Sequence, residues 1–292
     1  MSTILVTGSA GFIGFHVAKA LLEAGNSVIG IDNFNLYYAP ELKRARDEVL
    51  RRSVNYVGLE EDLASREALR SCFETYHPDI VCHLAAQAGV RYSLRNPYVY
   101  QQTNVEGYVN LIEQARLSGI KRFVYASSSS VYGGNTKMPY SEDDPVNLPI
   151  SLYAATKRAD ELIAYTYTHL WGIQTIGLRF FTVYGPWGRP DMAYWSFLDA
   201  VEHGEPIKLF NHGKNRRDFT YIDDIVPAVL AALAAESLDS YEIINLGNNK
   251  PESVLELVRT LEDLSGARAT VELVSPEPGD VEATYAEINR AR

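Results

Sequence analysis

The chain has 292 residues, enough for one large domain or two smaller ones around a sizeable core. Its 46% hydrophobic and 22% charged residues are ordinary for a soluble globular protein, and no apolar run is long enough to span a bilayer. A formal net charge of −10 argues against a nucleic-acid binder, which needs a basic face; an anionic small ligand needs arginines gathered locally against the overall field.

Met1-Ser2-Thr3 lead straight into an apolar run, with no basic segment and no cleavage site, so no secretory signal is expected. Cys72 and Cys82 are the only cysteines, and the expectation is buried free thiols in a reducing, cytoplasmic compartment. The N-terminal half alternates β-branched runs at 4–6, 27–31, 54–57, 80–83 and 122–126 with amphipathic stretches at 12–24, 40–51, 66–76 and 97–118. That alternation predicts a parallel sheet covered by helices on both faces. A long helix is predicted over 152–171 with Ser151 as its N-cap, followed by another buried strand at 173–179. After Gly185 glycine and proline become frequent and elements shorten, with helices near 194–202, 223–235 and 253–265. The expected division is a lobe of 1–184 and a smaller one of 185–292, with a soft boundary that the chain crosses more than once.

The first strand runs into Thr7-Gly8-Ser9-Ala10-Gly11-Phe12-Ile13-Gly14 and then a helix. Glycines let a backbone turn tightly and approach a pyrophosphate at the helix N-terminus. The spacing is G-x-x-G-x-x-G, and such a turn can also exist with no ligand. Asp32 ends the second strand eighteen residues after Gly14, where an acid accepts hydrogen bonds from an adenosine ribose. A carboxylate there also repels the extra phosphate of NADP, so strand, loop, helix, strand and acid together predict NAD.

Tyr153 and Lys157 stand one helical turn apart, a phenol beside an ammonium. A positive neighbour favours phenolate and makes a general base from a weak acid. The bare spacing also arises by chance on solvated helix faces, so its meaning rests on what surrounds it.

The glycine loop, Ser127-Ser128-Ser129-Ser130-Val131-Tyr132-Gly133 after the fifth strand, and Tyr153-x-x-x-Lys157 resemble, in order and spacing, the extended short-chain dehydrogenase/reductase superfamily. The resemblance covers nearly the whole chain. It implies a Rossmann-type doubly wound α/β fold with a smaller C-terminal α/β substrate lobe, and a tightly bound, recycled NAD. It implies Tyr153 as catalytic base, Lys157 on the nicotinamide ribose, and Ser128 on the reacting hydroxyl, with Ser129 and Ser130 lining the sugar site. Gly8, Gly11, Phe12, Ile13 and Gly14 would form the pyrophosphate loop. Asp32 and Asn33 would hold the adenosine ribose, and Asp62 and Leu63 would border the adenine. Leu84, Ala85, Ala86 and Phe180 would pass beside the cofactor. Relatives of this kind dimerise through the helices at 97–118 and 152–171, whose apolar positions fit core packing equally well.

Within the superfamily the chain resembles nucleotide-sugar epimerases and dehydratases. Dehydratases usually carry an Asp-Glu pair just after the catalytic Ser/Thr, and related decarboxylases commonly keep a glutamate; here Ser129 and Ser130 stand there. The chemistry left is oxidation and re-reduction at C4. The stretch from Arg179 to Ala193, which includes Thr182 and Trp187-Gly188-Arg189-Pro190-Asp191-Met192, resembles UDP-glucuronate 4-epimerases. Arg189 suits a carboxylate because guanidinium binds one in a bidentate fork; its ordinary role is an ion pair on a loop. The resemblance further implies Arg217 on the diphosphate, Lys208, Leu209 and Phe210 beside the uracil, Asp280 on the uridine ribose, and Arg91 near the sugar or phosphates. Glu277 departs from the pattern and receives no role, and the chain stops where relatives usually continue, so a truncated C-terminus is expected. The competing readings are a UDP-glucose or UDP-N-acetylglucosamine 4-epimerase, a related decarboxylase or dehydratase, an oxidoreductase that releases NADH, and a silent NAD-binding scaffold.

Overall fold

The structure, a computed structural model, describes residues 1–276 and 281–292. Its first half is a run of strand–helix units: β1 (Thr3–Thr7), α1 (Phe12–Glu23), β2 (Ser27–Asp32), α2 (Pro40–Leu50), β3 (Tyr56–Glu60), α3 (Arg66–Tyr76) and β4 (Ile80–His83). Then come α4 (Val90–Arg95), α5 (Pro97–Tyr100), a π-helical segment (Gln101–Glu106), α6 (Gly107–Leu117), β5 (Arg122–Ser128), α7 (Leu152–Trp171), β6 (Gln174–Phe180) and β7 (Thr182–Tyr184). The remainder holds α8 (Ala193–His203), β8 (Pro206–Leu209), β9 (Arg216–Tyr221), α9 (Ile222–Ala234), β10 (Tyr241–Leu246), β11 (Pro251–Ser253), α10 (Val254–Ser265), β12 (Thr270–Leu273) and β13 (Ala283–Thr284).

Seven strands form one sheet in the order β3-β2-β1-β4-β5-β6-β10, every neighbouring pair parallel. Strand order reverses between β1 and β4, which opens a crevice at their carboxyl ends, the usual ligand position of such sheets. One face packs Val6, Phe15 and Val17 against Ile222, Ile225 and Val229 of α9. The other packs Leu5, Ile29 and Phe123 against Phe73, Leu111 and Ala164 of α3, α6 and α7. Each fully buried side chain of this kind contributes about 1.5–3 kcal/mol. Burial on both faces explains why these strands read as continuous apolar runs.

Three expectations need correction. The third strand lies later than 54–57, because Val54 sits in a turn and is 98% exposed. The helix expected over 97–118 is interrupted by the π-helical turn, and α4 precedes it unforeseen. No strand was located beyond 179, yet β10 returns from the second half to pair with β6, and α9 covers α1. The rest of the second half forms two small sheets: β9 with β7, β11 and β13, and β8 with β12. Both cysteines are buried and free, and burial pushes the Cys72 thiol up to about 11. Among the described residues, no helix is long and apolar enough to cross a membrane.

Candidate active site

A cleft of about 390 Å³ opens at the reversal of strand order. Its floor is the glycine turn between β1 and α1. Gly8 has φ +69°, and a Cβ there would lie 2.8 Å from the Ala85 backbone. A Cβ on Gly14 would lie 2.0 Å from the Gly8 carbonyl oxygen, so neither position accepts a side chain without moving the loop. Gly11 caps α1 with no side-chain hydrogen bond, and the first turn carries no acidic residue. The first amides of α1 are therefore left for an anion at the cleft floor.

At the end of β2, Asp32 accepts hydrogen bonds from the Phe34 amide (2.9 Å) and the Ala10 amide (3.2 Å). Burial raises its pKa, and Lys43 pulls it back down. Asn33 donates to Asp62 at 2.9 Å, joining the rims after β2 and β3. These residues fit a dinucleotide: uncapped helix amides for the pyrophosphate, a carboxylate for the adenosine ribose, and an apolar wall of Leu63, Leu84, Ala85 and Ala86.

The opposite wall is β5 and α7. Ser151 caps α7 by accepting from the Ala154 amide at 3.1 Å, which fixes the register that turns Tyr153 and Lys157 into the cleft. Ser128, Ser129 and Ser130, at the end of β5, line the same space. The Tyr153 ring packs edge-on to Tyr100 at 6.1 Å, and Tyr100 donates to the Ala88 carbonyl at 2.7 Å. Asn104, on the π-helical segment, accepts from the Gln87 amide at 2.8 Å and donates to Thr156 of α7 at 3.0 Å. The π turn thus rotates one buried amide between the loop after β4 and the helix carrying Tyr153; such turns recur at functional sites.

Charge is concentrated beneath α7. Lys157 donates to Asp160 at 2.7 Å, and both side chains are buried. Burial pushes the Asp160 carboxyl up to about 7, against the pull of Lys157. Next to it Glu161 accepts from Arg179 at 2.8 and 3.0 Å, from Arg158 at 2.8 Å and from Ser127 at 2.6 Å. Burial opposes its charge, but these donors, Arg179 first, hold Glu161 below the usual carboxylate range.

The far end of the cleft is lined by Phe180, Thr182, Arg189 and Met192. Arg189 grips Asp191 through Nε (3.0 Å) and Nη2 (2.7 Å), and the Tyr37 hydroxyl donates to Asp191 at 3.1 Å. The ordinary role weighed for Arg189, a loop ion pair, is present alongside its position in the cleft. Burial, the largest influence, raises the Asp191 carboxyl, but Arg189 and the Tyr37 hydroxyl together hold it below the usual carboxylate range.

All the residues expected around the cofactor and the catalytic proton, from Gly8 to Phe180, share this cleft, as do Ser129, Ser130, Thr182 and Arg189. Arg91, Lys208, Leu209, Phe210 and Arg217 lie outside its lining. The Arg91 guanidinium stacks 3.8 Å over the Phe210 ring. The Leu209 side chain is committed to the small core of Val201, Ile207 and Val258. Arg217 donates to the Arg216 carbonyl at 2.8 Å and to the Glu282 carbonyl at 3.3 Å. Asp280 and Glu277 lie outside the described residues. Sequence reasoning missed Tyr37, Lys43, Gln87, Thr103 and Met192. Tyr37, Gln87 and Met192 sit on loops with no periodic pattern, Thr103 is on the π-helical segment and Lys43 on α2, and of the five only Met192 falls within the stretch from Arg179 to Ala193.

The model of the NAD dependent epimerase/dehydratase family matches residues 4–247. UDP-glucuronate 4-epimerase 4 of Arabidopsis thaliana is 50% identical over 306 residues, covering 99% of this chain and 70% of the plant protein. The crystal structure of a UDP-glucuronic acid 4-epimerase from Bacillus cereus, in complex with UDP-glucuronic acid and NAD, superimposes with a TM-score of 0.92 at 35% identity, covering 99% of this chain and 91% of that one. A Thermotoga maritima UDP-glucose 4-epimerase with UDP-glucose gives 0.89 at 32% identity, with 99% and 91% covered. By the extent of these matches and a sheet topology that agrees with them, the chain belongs to the NAD dependent epimerase/dehydratase family.

Proposed function

We propose that the protein is a UDP-glucuronate 4-epimerase, which interconverts UDP-glucuronate and UDP-galacturonate through a 4-keto sugar with NAD as a tightly held, recycled cofactor. The observation that carries this reading is one cleft holding Tyr153, Lys157 and Ser128 at its middle, serines rather than acids at 129 and 130, and Arg189 with Thr182 at its far end. The half-identical plant relative is named for the same reaction.

Bound NAD supplies a hydride acceptor that returns what it takes. Tyr153 takes the proton of the C4 hydroxyl and later gives it back. Lys157 places a positive charge one turn below it, and Ser128 orients the reacting oxygen. Because proton and hydride both return, no second acid–base pair is needed, which matches Ser129 and Ser130. Turning the keto sugar about its phosphate linkage presents its opposite face.

Oxidation at C4 of a glucuronate makes a β-keto acid, which loses CO₂ when the carboxylate bond aligns with the ketone π system. Arg189 and Thr182 hold the carboxylate out of that alignment, with Asp191 steadying the guanidinium. Arg217, Lys208, Phe210 and Asp280 serve the uridine diphosphate, and Arg91 lies near the sugar or phosphates. We read residues 1–184 as the NAD-binding lobe and 185–292 as the nucleotide-sugar lobe, the chain crossing back at β10. The cytoplasm is the proposed site of action. A homodimer pairs α5, α6 and α7 with those of a second copy; Leu162, Tyr165 and Leu170 of α7 are exposed, as that needs.

Incubation with UDP-glucuronate, UDP-glucose and UDP-N-acetylglucosamine separately, with products identified by NMR, tests the assignment. Conversion of the acidic sugar to its C4 epimer is expected. Turnover of a neutral sugar alone overturns the carboxylate assignment, and net NADH release overturns epimerisation.

A further inference from the structure

Arg46 of α2 is fully buried, yet it donates hydrogen bonds to three carbonyl oxygens and a phenol. Nη1 donates to the Ala10 carbonyl of the glycine turn and to the Tyr38 hydroxyl, each at 2.9 Å. Nη2 donates to the carbonyls of Trp187 (2.5 Å) and Gly188 (3.2 Å). Arg189 follows directly. One guanidinium therefore bridges the turn that would cradle a pyrophosphate and the loop that presents Arg189. A buried cation is costly unless its donors are satisfied; the two Nη groups make four such bonds while the buried Nε makes none, and only a planar fork reaches both loops at once.

The loop it holds is strained and held from a second side. Trp187 adopts φ +60°, a left-handed conformation unusual for a bulky residue. Its ring packs 5.5 Å from Phe15 of α1, and His16 of α1 bonds the Pro186 carbonyl at 2.9 Å. Both the helix that starts at the glycine turn and the helix that carries Arg46 thus shape residues 186–188. An observed outlier held by its surroundings at a site is a reason to ask what the strain positions. Here it positions the guanidinium two residues on.

We propose that Arg46 is a positioning residue that couples the dinucleotide turn to the Arg189 loop, so that filling the cofactor site sets the loop that holds the substrate's carboxylate. The part concerning the carboxylate rests on the function proposed above; the coupling itself does not. The test uses hydrogen exchange of amides 185–192 in cofactor-stripped and NAD-loaded protein, for the parent chain and for Arg46→Lys, which keeps the charge and loses the fork. In the parent chain NAD slows exchange of this loop about tenfold, and in Arg46→Lys the response is lost, a size usual for coupled sites. With UDP-glucuronate, Arg46→Lys raises KM about tenfold and releases decarboxylated pentose.

A parent loop indifferent to NAD overturns the proposal. So does an Arg46→Lys protein that melts at a lower temperature but keeps the NAD response and the product ratio, since that is a purely structural role. Should Arg46→Lys not fold, Tyr38→Phe removes one acceptor and leaves the cation; about a threefold loss of the NAD response is expected, and an unchanged response overturns the proposal. If the parent chain does not turn over UDP-glucuronate, the functional reading fails, and the exchange result still decides the coupling.

Discussion

The two ends of the cleft are built by different means. At the sheet end, the glycine turn, β5 and α7 are set by buried strands, a capped helix and the ion network of Glu161, Arg179 and Arg158. At the loop end, Thr182, Arg189 and Met192 sit on or just after a three-residue strand, held by contacts to α1, α2 and the segment before α2. The difference extends into the lobes. The sheet end rests on seven strands packed on both faces, whereas β12 of the small lobe is exposed along its whole length. In the proposed function, proton transfer, which tolerates little displacement, falls to the rigid part, while choice of sugar falls to a loop that contacts must hold.

The comparison is sharpened first by Tyr153→Phe. Removing the base at the rigid end should lower kcat about 10³-fold, with NAD content and melting temperature unchanged, as read by steady-state assay and cofactor release. Glu161→Gln should cost about 3 kcal/mol at pH 7 by urea denaturation, because it strands Arg179 in the core. Glu161 is held below its ordinary value of 4.5, so its contribution is complete above that pH and is lost as pH falls through the folded value. The gap between parent and variant should therefore close in acid. An unchanged gap at low pH would show that the network acts through packing rather than charge.

Arg189→Ala breaks the loop end. It should lower kcat/KM for UDP-glucuronate roughly 30-fold, about 2 kcal/mol, and release a pentose product visible by NMR. Normal epimerisation without pentose would remove Arg189 from carboxylate control. The smallest effect is expected at Val271→Ala on β12, within about 0.5 kcal/mol by thermal denaturation.

The same contrast decided what the sequence could disclose. Gly8, Gly11, Gly14 and Asp32, and the pair Tyr153 and Lys157, lie within short stretches whose spacing is itself the geometry, so they were readable residue by residue. The parallel sheet was readable because doubly buried strands leave uninterrupted apolar runs. Val54 misled for the converse reason: an apolar residue in a turn looks like the start of a strand. Arg46, Tyr37 and Asn104 left no local trace, since their partners lie far along the chain at Gly188, Asp191 and Thr156. The Arg91–Phe210 stack joins elements from different halves in the same way. The ion pair of Arg189 with Asp191 was visible as an Arg-x-Asp spacing and was outweighed by the reading of Arg189 as a substrate ligand.

The return of β10 to the sheet has a consequence for how the protein is made. Strand β6 pairs with β5 on one side and with β10 on the other, and the segment between them includes β7, α8, β8, β9 and α9. During synthesis, a chain that has reached Phe180 holds six strands and an open edge. Ile176 and Leu178 lack the cover that α9 brings until that helix has been made. Pairing must wait for Leu246, so completing the sheet is a late event of high contact order. A nascent chain halted in that interval exposes an apolar strand edge of the kind that recruits other chains. A fragment ending at residue 184 carries that liability permanently, which sets Leu246 as the earliest point at which the cofactor-binding sheet is whole.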